Sequence, residues 1–242
     1  SGDYLNFTLG TLADDAIKYT IAKRGAIRWI LGAKNLLIGT ENGEFVVSAP
    51  AGSQELITPD NINLEPQSSY GSIAAQPTVI GNLVLYYAAD GKKLYSMGYR
   101  FEESGWVSAD LAFIAEHITQ NRVVRQAHVQ SPDSIIWAID TTGKLIGCSY
   151  DRPNNVIGWH GHPVAQISFT SLASVRFLGT DLLWATWRVT RGVDTLTQVG
   201  VMNTTSLKIG RPASWVASMS CAAFLKKRSA SFSSPARGLK AA

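Results

Sequence analysis

A recurring hairpin constrains this chain more than any other feature of its sequence. In Asn35–Val47 two apolar runs flank Asn42-Gly43, residues that tolerate the positive φ angles of a tight turn. Asp90-Gly91 stands in the same way between Leu83–Tyr87 and Leu94–Met97, and Thr142-Gly143 between Ile135–Ile139 and Leu145–Cys148. A fourth copy begins at Asp181 (DLLWATWRVTRGVDTLTQVG). The copies start at Asn35, Asn82, Ser134 and Asp181, separated by 47, 52 and 47 residues. A period of roughly 40–50 residues with several strands each is the signature of β-propeller blades. The physical reason is burial: one small sheet cannot hide its own apolar faces, so neighbouring sheets stack. The sequence therefore predicts an all-β, β-propeller-like fold, partial or complete, with about four blade-like repeats. Another β-architecture, such as a sandwich, is the alternative.

One short inserted helix is expected over Ser108–Ile118, where Leu111, Ile114, Ala115 and Ile118 follow helical spacing and Ser108 or Asp110 stands ready to cap. Beyond about Thr204 the strand pattern fades. Seven serines fall within residues 214–234, and Leu225-Lys226-Lys227-Arg228 interrupts any core periodicity. The expected organisation is a propeller-like domain over 1–203 and a poorly ordered basic, Ser-rich tail over 204–242.

Charge follows the same division. The formal net charge is +4, but residues 221–242 carry five basic residues and no acid. The other 220 residues hold 17 basic against 18 acidic side chains, so the body is close to neutral and the basicity belongs to the tail. This weakens a nucleic-acid-binding reading. A hydrophobic content of 45% suits a globular chain with a sizeable core. No apolar run approaches the roughly 18–20 residues needed to span a bilayer. The start Ser1-Gly2-Asp3-Tyr4 lacks the pattern of a signal peptide and lacks Met, which reads as a fragment or a processed product.

Chemistry is sparse. Cys148 and Cys221 make neither a disulfide framework nor a zinc knuckle, and Cys148 reads as a core residue. His160-Gly161-His162 places two imidazoles on one side of a strand, and a metal would need Asp151 or His128 as a third ligand. A hydrogen-bonded pair beside Trp159 is the plainer reading. Glu116-His117 could form an acid–base pair only if helical neighbours did not diverge by about 100°. Ser131-Pro132-Asp133-Ser134-Ile135-Ile136-Trp137 is similar to the Asp-containing hairpin box of sialidase-type propellers, with Ile135 in place of its glycine and Trp137 one residue early. No nucleophile elbow, phosphate-binding loop or dinucleotide fingerprint is present. No catalytic, cofactor-binding or metal-binding residue is assigned. Trp29, Tyr86, Tyr87, Trp106, Trp137, Trp159, Trp184 and Trp187 are expected in the core, with exposed aromatics at a ring interface as the alternative.

Several stretches, in order, resemble the tail nozzle (tail tubular protein B-like) family of short-tailed bacteriophages. They are Gly2–Phe7, Asp14–Thr20, Leu36–Phe45, Gln67–Gly71, Asp110-Leu111 with Ala115–Ile118, Pro132–Trp137 and Val156–His160. The resemblance spans residues 2–160, extends loosely to about 198, and corresponds to the C-terminal portion of longer family chains. It departs at Gln198-Val199-Gly200, where the family continues with a charged Ile-Glu step. It implies a non-enzymatic virion subunit, assembled in the bacterial host cytoplasm. Such subunits form a homo-oligomeric ring, six copies in that family, beside other tail proteins, and DNA passes transiently through it. No membrane and no small-molecule substrate are implied. A carbohydrate-binding or glycoside-hydrolase propeller is the rival reading, and an incomplete gene product needing its N-terminal half is the third.

Overall fold

The computed structural model describes residues 5, 7–10, 12, 15–21, 25–49, 57–192 and 194–202. Fifteen strands in these residues form four antiparallel sheets, taken up in strict chain order. Sheet 1 holds β1 (Ile27–Gly32), β2 (Leu36–Thr40), β3 (Gly43–Ser48) and β4 (Asn63–Ser68). Sheet 2 holds β5 (Thr78–Ile80), β6 (Leu83–Tyr87), β7 (Leu94–Arg100) and β8 (Gly105–Asp110). Sheet 3 holds β9 (Val123–Val129), β10 (Ile135–Asp140), β11 (Leu145–Asp151) and β12 (Val156–His162). Sheet 4 holds β13 (Ile167–Phe177), β14 (Thr180–Arg191) and β15 (Asp194–Met202). Each sheet is a meander in which every strand pairs with its neighbours in sequence.

The three expected hairpins are β2–β3, β6–β7 and β10–β11, and the fourth copy is β14–β15. The three expected turns share one chemistry. A short polar side chain at the end of the leading strand or just beyond it folds over the turn: Asp90 Oδ1 accepts from Lys92 N at 2.8 Å, and Asp140 Oδ1 from Thr142 N at 2.8 Å and Lys144 N at 2.9 Å. Thr40 takes this place in sheet 1, its hydroxyl donating to Gly43 O at 2.8 Å. Such short oxygen-bearing side chains satisfy turn amides that the ladder leaves free.

Stacking follows from the two-residue period of a strand. In β6, Val84 and Tyr86 join Trp29, Leu37 and Val46 of sheet 1, while Leu83, Leu85 and Tyr87 join Ile136, Ala138 and Cys148 of sheet 3. In β10, Ile135, Trp137 and Ile139 turn the other way, onto Phe169, Leu183, Ala185 and Trp187 of sheet 4. The inner sheets are therefore covered on both faces, and β6 and β10 are buried along their whole length. That is why they read as unbroken apolar runs. Cys148 is fully buried in this core, as its strand pattern indicated.

The chain entering each new sheet also ties itself to the preceding hairpin turn. Ser72 N donates to Thr40 O at 2.7 Å, Val123 N to Gly91 O at 2.8 Å and Phe169 N to Gly143 O at 2.9 Å. One sheet-to-sheet bond is thus repeated at all three junctions.

The helix expected over Ser108–Ile118 does not form. Ser108, Ala109 and Asp110 pair with Met97, Ser96 and Tyr95 as the end of β8, and only Phe113–Ala115 make a single 3-10 turn. The free edge of β7 competes successfully for these residues. Asp110 accepts from Ala112 N at 2.8 Å just ahead of that turn, and Ile114 of the supposed apolar stripe is exposed. The tail expected over 204–242, with Cys221, lies outside the described residues.

Candidate functional site

The histidine pair is brought together as the sequence indicated. Strand β12 carries both rings to the face of sheet 3 that meets sheet 4, with His160 opposite Gly147 and His162 opposite Leu145. Gly147 leaves the space that the His160 ring fills; a Cβ there would overlap it. His160 Nδ1 lies 2.5 Å from His162 Nε2, so one imidazole donates and the other accepts. Their aromatic neighbour is Trp137, with ring centroids 5.5 and 5.3 Å away, and not the expected Trp159, whose Nε1 donates to Leu111 O at 2.9 Å.

Burial disfavours the imidazolium form in both rings. His162 is pushed down to about 4, by burial first and then by His160 and Lys144, and His160 is lowered by burial. At neutral pH both rings are uncharged, which suits a half-buried pair sharing one proton.

The proposed third ligands stand elsewhere. The Asp151 carboxylate accepts from Asn154 Nδ2 at 2.7 Å at the far end of the β11–β12 ladder, and His128 Nε2 lies 3.0 Å from Ser134 Oγ. Among the described residues, no three or more His, Cys, Asp or Glu side chains gather as a metal would require. Glu116 and His117 are both exposed on the chain leaving the 3-10 turn. The sialidase-like stretch forms the β9–β10 turn, where Gln130 N and Ser131 N donate to the Asp181 carboxylate at 2.7 and 3.1 Å.

Three buried carboxylates escaped the sequence reading, and all three stitch the fold. Glu44 accepts from the hydroxyls of Ser68 and Ser72, Asp140 holds its turn and Asn121 Nδ2, and Asp181 joins sheet 4 to the β9–β10 turn. Only Asp140 was signalled locally, by its place one residue beyond an apolar run and before Thr-Thr-Gly. Glu44 and Asp181 find their partners across 24 to 51 positions of sequence.

A hollow of about 690 Å³ lies at the seam of sheets 1 and 2, between Lys34, Glu65, Gln67, Tyr99 and Trp106. Lys34 Nζ stands 4.8 Å above the Tyr99 ring, and Gln67 Oε1 accepts from Trp106 N at 2.8 Å. A second hollow of about 400 Å³ shares Gln67, Gly105 and Trp106, and its Tyr70 stacks on Tyr95 at 4.3 Å. The two hollows meet at these shared residues, with Tyr99 in the wall of the first and Tyr70 in that of the second.

Most of the tryptophans and tyrosines singled out by sequence are core: Trp29, Tyr86, Tyr87, Trp106, Trp137 and Trp187 are all buried. Trp159 is half-buried at the junction of sheets 2 and 3. Trp184 differs, being 37% exposed on a strand whose neighbours at Leu183 and Ala185 are buried. No described helix is long and apolar enough to cross a membrane. No protein-family model matches the chain, and no curated protein matches it.

Proposed function

We propose that this chain is a virion structural subunit, part of a tail nozzle that conducts DNA out of a phage particle, and that it has no catalytic role. The observation that carries the reading is the serial stack: four meander sheets in chain order, each bonded to the turn of the one before. Such a stack is how propeller blades are built, and it makes a stiff wall. The ordered resemblance of residues 2–160 to nozzle proteins supplies the biological context. In this reading the four sheets are propeller blades, and copies of the subunit form a ring beside other tail proteins. The near-neutral body suits a conduit, because a basic lining would hold DNA through its phosphates.

The test is direct. Purified chain examined by mass photometry and electron microscopy is expected to give closed rings with a central opening, and phage particles carrying it are expected to show it at the tail tip. Tight, salt-dependent binding of duplex DNA by residues 1–202 would contradict the reading.

The seam groove favours a second reading, a carbohydrate-binding propeller, because Tyr99, Tyr70 and polar side chains line it together. Specific glycan-array binding abolished by Tyr99→Ala would support it. Turnover lost on substitution of one carboxylate would make the protein an enzyme.

A further inference from the structure

Among the described residues the outer face of sheet 4 is uncovered and that of sheet 1 is covered only in part, so the two ends differ from every junction between them. On sheet 4 the face turned away from sheet 3 carries Phe177, Val175, Trp184 and Val199, exposed by 57, 49, 37 and 51%. The pairings Leu182↔Val175, Trp184↔Ala173, Trp184↔Val201 and Thr186↔Val199 place these residues on one side of the sheet. Arg188 is the one described charged side chain paired onto this face.

The turn of sheet 4 is open as well. A Cβ at Gly91 would strike the Arg122 side chain and one at Gly143 would strike Ser168, because the next sheet's entering chain passes there. At Gly192, the equivalent turn glycine, a Cβ would meet nothing within 4 Å. The apolar face and the empty turn are two independent signs that sheet 4 is built to receive another sheet.

At the other end, the outer face of sheet 1 is formed by Ile30, Leu36, Ile38, Phe45 and Val47, and Arg28, two residues from Ile30, is held in an ion pair by Glu41. Ile21, Ile62 and Leu64 pack on Ile38, Phe45 and Val47, while Ile30 and Leu36 stay 53 and 37% exposed. No apolar cluster among the described residues joins sheet 1 to sheet 4.

We infer that the outer face of sheet 4 is a subunit interface whose occupant is the open part of the sheet 1 face of a second copy of this chain. The contact repeats between copies the face-to-face packing that joins sheets 1 to 2, 2 to 3 and 3 to 4 within one. It is heterologous, since two different surfaces meet, and heterologous contacts close into rings when the rotation per copy allows. The inference rests on the ring reading above and names the surfaces that make the ring.

Two single variants and their mixture test it on the full chain, with sedimentation velocity as the readout and circular dichroism to confirm folding. Trp184→Lys buries a charge in one half of the interface and Ile30→Lys in the other. Each alone is expected to weaken self-association roughly tenfold or more, the scale of losing an interface anchor. Mixed in equal amounts they are expected to form dimers and nothing larger, because each chain retains the face the other has lost. A Trp184→Lys monomer alongside an Ile30→Lys dimer would mean that sheet 4 pairs with its own copy, and would overturn the head-to-tail assignment. Rings that persist unchanged in both variants would overturn this interface and leave the ring reading standing. A wild-type chain that stays monomeric at all accessible concentrations would overturn both.

Discussion

β10 and β14 are both inner strands of meander sheets, and in both the apolar run follows a polar residue, Ser134 in one and Asp181 in the other. In β10 every residue from Ile135 to Asp140 is buried. In β14 burial alternates, with Leu183, Ala185 and Trp187 covered and Trp184 and Arg188 exposed. The strands do not differ in kind. Among the described residues sheet 3 has a neighbour on each side and sheet 4 has one, so the same ladder hides two faces in one place and one in the other. Trp137 and Trp184 are thus the same residue type at comparable places in the repeat, with opposite surroundings.

Truncation of those two indoles should break the comparison most sharply. Trp137→Ala should cost about 3–5 kcal/mol, since it empties the space between sheets 3 and 4, whereas Trp184→Ala should cost less than about 1 kcal/mol in the monomer. Urea unfolding midpoints measure both, and equal losses would mean that the outer face of sheet 4 is already covered within one chain. Next in size is the carboxylate that links the two sheets. Asp181→Ala strands the amides of Gln130 and Ser131, and a loss of about 1–3 kcal/mol is expected in the same assay.

The turn glycines sharpen the contrast. Both Gly143 (φ 82°) and Gly192 (φ 63°) hold the left-handed conformation, so alanine strains either by about 1–2 kcal/mol. Only at Gly143 must the entering chain at Ser168 also give way. Gly143→Ala should therefore unfold at lower denaturant than Gly192→Ala.

The smallest expected effect is the pH dependence of the half-buried histidines between sheets 3 and 4. Their folded forms resist protonation, while the unfolded chain takes up protons at the ordinary imidazole value of 6.5. The unfolded state then binds more protons as pH falls, so the stability these rings supply is full above 6.5 and is lost on the way down towards about 4. Denaturation midpoints of wild type and of the double variant His160→Asn, His162→Asn across that interval should converge at the acid end. Parallel curves would show that the pair does not titrate against folding.

Much of the fold was legible because it is written in local chemistry. Asn42-Gly43, Asp90-Gly91 and Thr142-Gly143 each fix a turn whatever surrounds them, and Leu83–Tyr87 and Ile135–Ile139 announce two-sided burial by having no polar gap. The helix over Ser108–Ile118 was misread because helical spacing is also satisfied by a strand end followed by one turn. The partner that decided between them, β7, lies a dozen residues upstream. The histidine pair was legible as a pair, since a two-residue step puts both rings on one side. Its neighbour was not, because Trp137 reaches it only through the β10–β11–β12 ladder.

By itself the sequence determined that this chain forms repeated antiparallel hairpins, since turn geometry and two-residue alternation act over a few residues and need no distant partner. The tertiary structure alone decided which faces those hairpins share, where Glu44 and Asp181 find their donors, and that Trp137 is buried while Trp184 is exposed. Those outcomes depend on which surface arrives opposite which, and burial is a property of two surfaces together, never of one strand.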